Sequence, residues 1–353
     1  MSKQTYIITG GYGFIGSCII RKLLNNKDNM VINIDKITYA SNKNSIVEKN
    51  KSNYKFYKTD ISDQKKVMSI IRKHNPDYVI NLAAESHVDR SIDAPDIFIK
   101  SNIVGTFSIL NASYKYWLDL KGRKRKKFRF LQVSTDEVFG SLKRRQKKFN
   151  EESLYKPNNP YSASKAASDH LVRSWFVTYN FPSLITNTTN NYGPWQFPEK
   201  LIPLVINKCI NSEKIPIYGN GRQIRDWIYV NDHVDGILKV LKKGSLGEKY
   251  NISSNCELEN IKVVKKICSI MQELIPNDKL KFSELITFVD DRPGHDVRYG
   301  LDNKKILRLG WKPKYNWEDG LRSTITWYLK NREFLKITKK NKLYSGERLG
   351  KIE

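Results

Sequence analysis

The stretch Phe128–Gly140, FRFLQVSTDEVFG, is a short apolar run that ends in two hydroxyls and two adjacent carboxylates. Phe130, Leu131 and Val133 suit a strand buried on both faces, as the strands of a parallel sheet are. Ligands of open α/β sheets sit just beyond the carboxyl ends of the strands. Ser134, Thr135, Asp136 and Glu137 would stand there. The same tetrapeptide can also serve only as the cap of a following helical turn, because Ser, Thr and Asp readily accept the free N–H groups of a helix start. The neighbouring sequence decides between the two readings.

Upstream, Thr5–Thr9 (TYIIT) is apolar and β-rich and opens into Gly10-Gly11-Tyr12-Gly13-Phe14-Ile15-Gly16, followed by a helical pattern through Leu24. A strand, a glycine turn and a helix bring backbone N–H groups close to an anion at the helix N-terminus, as in pyrophosphate binding. The spacing is G-x-x-G-x-x-G, a variant of the G-x-G-x-x-G dinucleotide fingerprint. Met30–Asp35 (MVINID) is a second strand that ends in a carboxylate about 20 residues on, where an acid accepts bonds from the adenosine ribose and repels a 2′-phosphate. NAD is therefore expected over NADP, unless Asp35 merely begins a turn. Strand and helix patterns then alternate through Lys55–Tyr57, Asp60-Ile61, Gln64–His74 and Tyr78–Leu82, and Ala94–Trp117 reads as a long helix. This is the pattern of a doubly wound parallel α/β sheet. His87, in Ala83-Ala84-Glu85-Ser86-His87, reads more readily as structural than as catalytic.

Downstream, Tyr161-Ser-Ala-Ser-Lys165 lies in a helical pattern running to about Tyr179. At i, i+4 both side chains share a face, so the ammonium can lower the tyrosine pKa from about 10 and hold a ribose. The spacing also occurs at Tyr39/Lys43 and Tyr54/Lys58, but only Tyr161 follows the strand that carries Thr135.

In order along the chain, TGGYGFIGS at Thr9, LAAESHVDRSI at Leu82, STDEVFG at Ser134, PYSASKAASDHLVR at Pro160, NNYGPWQFPEKLIP at Asn190, RDWIYV at Arg225 and DRPGHDVRY at Asp291 resemble the extended short-chain dehydrogenase/reductases. More narrowly, they resemble the nucleotide-diphosphate-glucose 4,6-dehydratases, over about residues 5–330. The resemblance implies a Rossmann-type NAD domain over residues 1–190, with a segment near 225–245 returning to it. A smaller α/β substrate domain would cover 191–335, and a charged tail 336–353.

It also implies NAD contacts from Gly10, Gly13, Phe14, Ile15, Gly16, Asp35, Lys36, Thr38, Asp60, Ile61, Leu82, Ala83, Ala84, Ser101, Tyr161, Lys165 and Asn191. UDP-glucose or dTDP-glucose contacts would come from Ser86, Thr135, Asn190, Lys200, Leu201, Pro216, Tyr218, Arg225, Asn260, Asp291, Arg292 and His295. The implied catalytic set is Thr135, Asp136, Glu137, Tyr161 and Lys165. Phe139 stands where such proteins usually have tyrosine, a change expected to alter packing more than chemistry. Pairing through two long helices, here Ala94–Trp117 and Tyr161–Tyr179, would give a homodimer. A nucleotide-sugar 4-epimerase shares this fold but needs no acid/base pair for losing water, and Asp136-Glu137 argues against it.

The chain's 353 residues, 39% hydrophobic, suffice for a large core, and the sequence contains neither a signal-peptide pattern nor a long apolar run, so a cytoplasmic protein is expected. Cys18, Cys209, Cys256 and Cys268 show no metal-ligand spacing, so neither zinc nor a disulfide is expected. The net charge of +26 exceeds what a diphosphate substrate calls for. Much of it lies in Lys121–Arg129 (KGRKRKKFR) and Lys143–Lys148 (KRRQKK), read as solvated loops rather than as a nucleic-acid surface.

Overall fold

The computed structural model describes residues 4–47 and 51–337. The strands β1 (Gln4–Thr9), β2 (Asn29–Asp35) and β3 (Tyr54–Lys58) alternate with helices α1 (Phe14–Leu24) and α2 (Gln64–His74). β4 (Tyr78–Asn81) is followed by α3 (Val88–Asp93) and by a continuous helical segment of α4 (Pro95–Phe98), a π-helical turn Ile99–Val104 and α5 (Gly105–Asp119). Next come α6 (Gly122–Lys127), β5 (Arg129–Thr135), a 3₁₀ turn Asp136–Phe139, α7 (Pro160–Tyr179), β6 (Ser183–Thr188) and β7 (Asn190–Tyr192). The remainder comprises α8 (Leu201–Ile210), β8 (Ile215–Tyr218), β9 (Ile224–Tyr229), α9 (Val230–Lys243), β10 (Lys249–Ile252) and β11 (Glu257–Glu259). It ends with α10 (Asn260–Leu274), β12 (Ile286–Val289), α11 (Lys304–Arg308), α12 (Trp317–Lys330) and α13 (Arg332–Leu335).

Seven strands form one sheet in the order β10-β6-β5-β4-β1-β2-β3, with every neighbouring pair parallel. The chain winds outward from β1 to β3 and then crosses back to place β4 on the other side of β1. The carboxyl ends of β1 and β4 therefore flank the topological switch point, where a crevice opens. Parallel strands need both faces covered, and the strand residues Ile7, Ile8, Ile32, Val79, Ile80, Phe130 and Leu131 are fully buried. One face packs on α1 and α9 and takes in Tyr250, Ile252, Ile306 and Trp311; the other packs on α2, α5 and α7. A separate core gathers Tyr192, Trp227 and the apolar sides of α8, α10 and α12. We propose reading the two sheet cores and the separate core as a cofactor lobe and a substrate lobe. On that reading the cofactor lobe also recruits residues 249–252 and 304–311.

One expectation needs correction. Lys121–Arg129 is not a loop: Gly122–Lys127 is a turn and a half of helix, with Lys124 and Lys127 3.4 and 4.0 Å from the Asp77 carboxylate and Arg125 over the Trp117 ring at 4.2 Å. Aliphatic stems and ring stacking hold this charged segment against the body. Lys143–Lys148 is the exposed loop expected, with Arg144 on Glu259 at 2.9 Å and Lys148 on Glu257 at 2.8 Å. The residues from 338 onward, most of the charged tail, lie outside the described part.

Candidate active site

A cavity of about 330 Å³ opens at the switch point. Its floor is the glycine turn. Gly10 has φ +67°, and a Cβ there would sit 2.9 Å from the Ala83 backbone; one on Gly16 would sit 2.3 Å from the Gly10 carbonyl oxygen. Thr9 Oγ1 accepts from the N–H groups of Leu82 and Ala83, each at 3.1 Å, and so fixes the chain leaving β4 beside that turn. α1 starts after Gly13 with no side-chain cap, so its first N–H groups stay available to an anion. At the end of β2, the Asp35 carboxylate accepts from Tyr12 N, Ile37 N and Ser41 Oγ at 3.0, 2.7 and 3.2 Å. Burial pushes its pKa up and those donors oppose the push. A cradle that any Cβ would fill, an uncapped helix start and a carboxylate at the second strand fit a dinucleotide. All the residues named from the sequence as cofactor contacts, from Gly10 to Asn191, line this cavity.

The π turn is part of the wall. It turns Asn102 inward, where its side chain accepts from Glu85 N at 2.9 Å and donates to Glu85 O and Ser164 Oγ at 3.0 and 2.8 Å. Lys36 Nζ donates to Ser101 Oγ at 2.7 Å. An irregular turn of this kind inside a helix often marks a functional site. Nothing in the periodicity of residues 94–117 announces it.

β5 delivers the reactive groups to the far side of the cavity. Thr135 is the N-cap of the Asp136–Phe139 turn, its Oγ1 accepting from Glu137 N at 3.3 Å, so the capping reading and the site reading of this stretch hold together. Thr135 Oγ1 also donates to Asp136 Oδ1 at 3.2 Å, while the buried Asp136 Oδ2 has no partner among the described residues. Burial, the neighbouring Glu137 and Asp226 push the Asp136 pKa well above the usual carboxylate range. Glu137 is half-buried and is approached by Asn159 Nδ2 at 3.5 Å and Tyr299 Oη at 3.4 Å. Burial raises its pKa too, but Arg292 and Arg225 favour its anion. The two carboxyls thus differ: Asp136 is the better proton holder and Glu137 the better anion.

α7 begins with Asn159 capping Ser162 N at 2.8 Å and Pro160 in the first turn, and this start fixes the phase that turns Tyr161 and Lys165 into the cavity. Lys165 Nζ donates to Val133 O at 2.7 Å, and burial lowers its pKa to about 8. The expected lowering of the tyrosine is not what this arrangement produces. Tyr161 is pushed upward by burial and by Glu137, with a Thr135 hydrogen bond opposing, while the Lys165 ammonium donates to the strand carbonyl.

Of the residues read as substrate contacts, Ser86, Thr135, Asn190 and Lys200 line the cavity, and Lys200 Nζ donates to Ser86 O at 3.1 Å. The others stand outside its wall. Arg292 Nη1 and Tyr218 Oη meet on the Asp89 carboxylate at 2.9 and 2.8 Å. Arg225 lies over the Tyr299 ring at 4.2 Å, and His295 Nδ1 is 2.6 Å from Asp291 Oδ1. Asn260 opens α10 with a buried Oδ1 that has no partner among the described residues, Leu201 packs against the separate core, and Pro216 is exposed on β8. Sequence reasoning passed over Glu85, Gln196 and Glu199 in the cavity wall, and Asn159 and Tyr299 beside Glu137. Gln196 and Glu199 fall within NNYGPWQFPEKLIP and Tyr299 within DRPGHDVRY; the Asn-Pro start of α7 was the available signal for Asn159. His87 is half-buried with Nε2 3.8 Å from the Glu199 carboxylate, and desolvation lowers its pKa to about 3. Among the described residues no His, Cys, Asp or Glu cluster has the arrangement of a metal site, and no helix is long and apolar enough to cross a membrane.

A parallel sheet with a glycine-rich dinucleotide cradle at its switch point, and a Tyr-Lys pair on the helix after β5, defines an extended short-chain dehydrogenase/reductase. Comparison with known proteins narrows the class. Residues 7–324 match the family model of GDP-mannose 4,6 dehydratase, and the chain belongs to that family. It is 49% identical over 360 residues to a dTDP-glucose 4,6-dehydratase of Escherichia coli, covering 98% of this chain and 99% of that one. It is 51% identical over 330 residues to the Haemophilus influenzae dTDP-glucose 4,6-dehydratase, covering 92% and 98%. Among solved structures, a Streptomyces venezuelae dTDP-glucose 4,6-dehydratase with NAD bound superposes with a TM-score of 0.85 at 36% identity, over 94% of this chain and 98% of that one. A UDP-glucose 4-epimerase of Thermotoga maritima superposes at 0.81 with 26% identity, over 93% and 100%.

Proposed function

We propose that the protein is an NAD-dependent nucleotide-diphosphate-glucose 4,6-dehydratase acting on dTDP-glucose. The observation that carries this reading is the unequal carboxyl pair, Asp136 and Glu137, beside Tyr161 at the end of β5. NAD, held by the glycine turn, Asp35 and the Tyr161/Lys165 pair, would supply a reversible hydride acceptor beside C4 and C6 of the glucose, with Glu137 returning the C5 proton as the hydride is returned. Tyr161, with Thr135 beside it, takes the proton of the 4-hydroxyl. The resulting 4-ketone acidifies the C5 proton, which Glu137 removes as the carboxylate that Arg292 and Arg225 favour. Asp136, the better proton holder, protonates the departing 6-hydroxyl. Two carboxyls whose environments separate their proton affinities are what an elimination of water needs. A 4-epimerase has no use for this pair, so the shared fold of the Thermotoga maritima protein does not move the assignment.

The preference for dTDP over UDP follows the substrate in the names of the Escherichia coli and Haemophilus influenzae relatives. Arg225 and Arg292 are assigned to the diphosphate, which a guanidinium can hold through two parallel bonds. The carboxylate at Asp35 would repel the 2′-phosphate of NADP. We further assign the protein to the cytoplasm as a homodimer, joined through the face that α5 and α7 share. Nucleic acid forms no part of the reading: acidic neighbours engage members of both basic runs, and the pocket has the make-up of a dinucleotide site. The test is to incubate the purified protein with dTDP-glucose or UDP-glucose, and NAD or NADP, and to weigh the product. Loss of one water from dTDP-glucose with NAD is expected; an unchanged mass with epimerised glucose would overturn the assignment.

A further inference from the structure

Behind the cavity wall lies a buried carboxylate that the proposed chemistry leaves without a task. Asp169 stands one helical turn beyond Lys165 on α7 and is 2% exposed. Its Oδ2 accepts from Ser134 Oγ at 2.7 Å, Tyr155 Oη at 3.0 Å and Asn187 Nδ2 at 3.4 Å. Three donors, from β5, from the loop before α7 and from β6, converge on one oxygen. Burial raises the Asp169 pKa, and the Lys165 ammonium and these three donors oppose the push and favour the carboxylate. Its Oδ1 has no hydrogen-bond partner among the described residues. A buried anion left half-satisfied needs a cation. The Lys165 ammonium is anchored on Val133 O, one residue before the serine that binds Asp169.

We propose that Asp169 is a positioning residue: its carboxylate keeps Lys165 ionised in the closed interior and, through Ser134, fixes the end of the strand that carries Thr135. The role given to Lys165 in turnover rests on the dehydratase reading above; its ionisation does not. Burial pulls the Lys165 ammonium down, and Asp169 is the charge that opposes the pull. The other titratable groups around the pair are Tyr161 on α7, Asp136 and Glu137 after β5, Tyr155, His170 against the Tyr155 ring at 5.4 Å, and Lys249 of β10 at 4.6 Å from that ring. Both tyrosines are pushed upward by burial and stay neutral, and the attraction between Lys249 and Asp169 favours the carboxylate. Removing a nearby anion lowers the pKa of a cation. Asp169→Asn should therefore move the titration of Lys165 downward.

The readout is the lysine Cε resonance of isotopically labelled protein, assigned as the signal that disappears in Lys165→Arg. It should titrate near pH 8 in the parent protein, and at least about one pH unit lower, tenfold in proton affinity, in Asp169→Asn. Tyr155→Phe removes a donor from Asp169 but no fixed charge, and should give a smaller shift in the same direction. If Asp169→Asn does not fold, Tyr155→Phe decides. An unmoved titration overturns the proposal, even where activity has fallen, because a merely structural role would lower activity at every pH without moving this signal. In the pH profile of dTDP-glucose turnover, the alkaline fall should begin at a lower pH in Asp169→Asn than in the parent protein, in parallel with the lysine titration. Should the parent protein not turn over dTDP-glucose, the dehydratase reading falls, while the lysine titration still decides the role of Asp169.

Discussion

Asp136 and Glu137 are adjacent in sequence, carry the same functional group, and still occupy different electrostatic positions. Asp136 is 2% exposed and has one oxygen unpartnered among the described residues, whereas Glu137 is met by Asn159 and Tyr299 and acted on by two arginines. The assignment of acid to one and base to the other makes separate predictions. In deuterated water, Asp136→Asn should still exchange the C5 proton of the sugar while loss of water falls by about 10²–10⁴-fold, the usual worth of a positioned acid or base. Glu137→Gln should lose the exchange and the dehydration together. Mass spectrometry of recovered sugar nucleotide checks both, and C5 exchange that survives in Glu137→Gln but vanishes in Asp136→Asn would reverse the roles. The pair itself was legible in the sequence, because a strand that ends in STDE announces its carboxyls. Their inequality was not, since it comes from Arg225, Arg292, Asp226 and Tyr299, which lie 88 or more positions further along the chain.

Elements built on local pattern were read closely from sequence: α2 spans Gln64–His74, β2 ends at Asp35 and α7 ends at Tyr179, each as the periodicity indicates. Elements that depend on a distant partner were not. The π turn in residues 99–104 exists because Asn102 reaches Glu85 and Ser164, and the helix of Gly122–Lys127 exists because Asp77 and Trp117 hold its basic side chains. The glycine turn lies between these cases. Its spacing departs from the common fingerprint, but its geometry is the constraint that matters: a methyl group on Gly16 would stand 2.3 Å from the Gly10 carbonyl oxygen and 2.9 Å from Gly11 Cα, both backbone atoms that cannot rotate away. Gly16→Ala should therefore displace the turn and weaken NAD binding by at least about tenfold, with a stability loss of about 1–3 kcal/mol, as overpacking typically gives. Gly122→Ala offers the comparison, because a Cβ there meets nothing within 4 Å, although φ is +51°. Calorimetric titration with NAD checks this, and unaltered affinity in Gly16→Ala would remove the turn from the binding site.

At the scale of the molecule, one feature of the surface has no use within a single chain. The helical segment 95–119 and α7 lie on the same side of the sheet, with Phe107 against Trp175 at 5.9 Å. On their outer sides Ile97, Ile99, Val104, Phe107, Val177 and Tyr179 stay between 38% and 61% exposed. Single exposed apolar residues are ordinary, but several large ones on two neighbouring helices form the kind of patch that marks an interface. A second copy related by a two-fold axis would present the same patch, and covering each such half-exposed side chain is worth about 1 kcal/mol, roughly half the value of a full burial. The patch lies on helices that also carry Tyr161, Lys165, Ser101 and Asn102, so association would stiffen the wall of the site. Val177→Asp puts a carboxylate at the most exposed of these positions, where an interface would have to bury it without a partner, at a cost of about 3–5 kcal/mol per unpaired charge. Sedimentation equilibrium should find twice the chain mass for the parent and the single chain mass for this variant at micromolar concentration, with a lower melting temperature and a looser hold on NAD. A parent protein that sediments as one chain would sink the dimer, and a dimeric Val177→Asp would place the interface elsewhere on the surface.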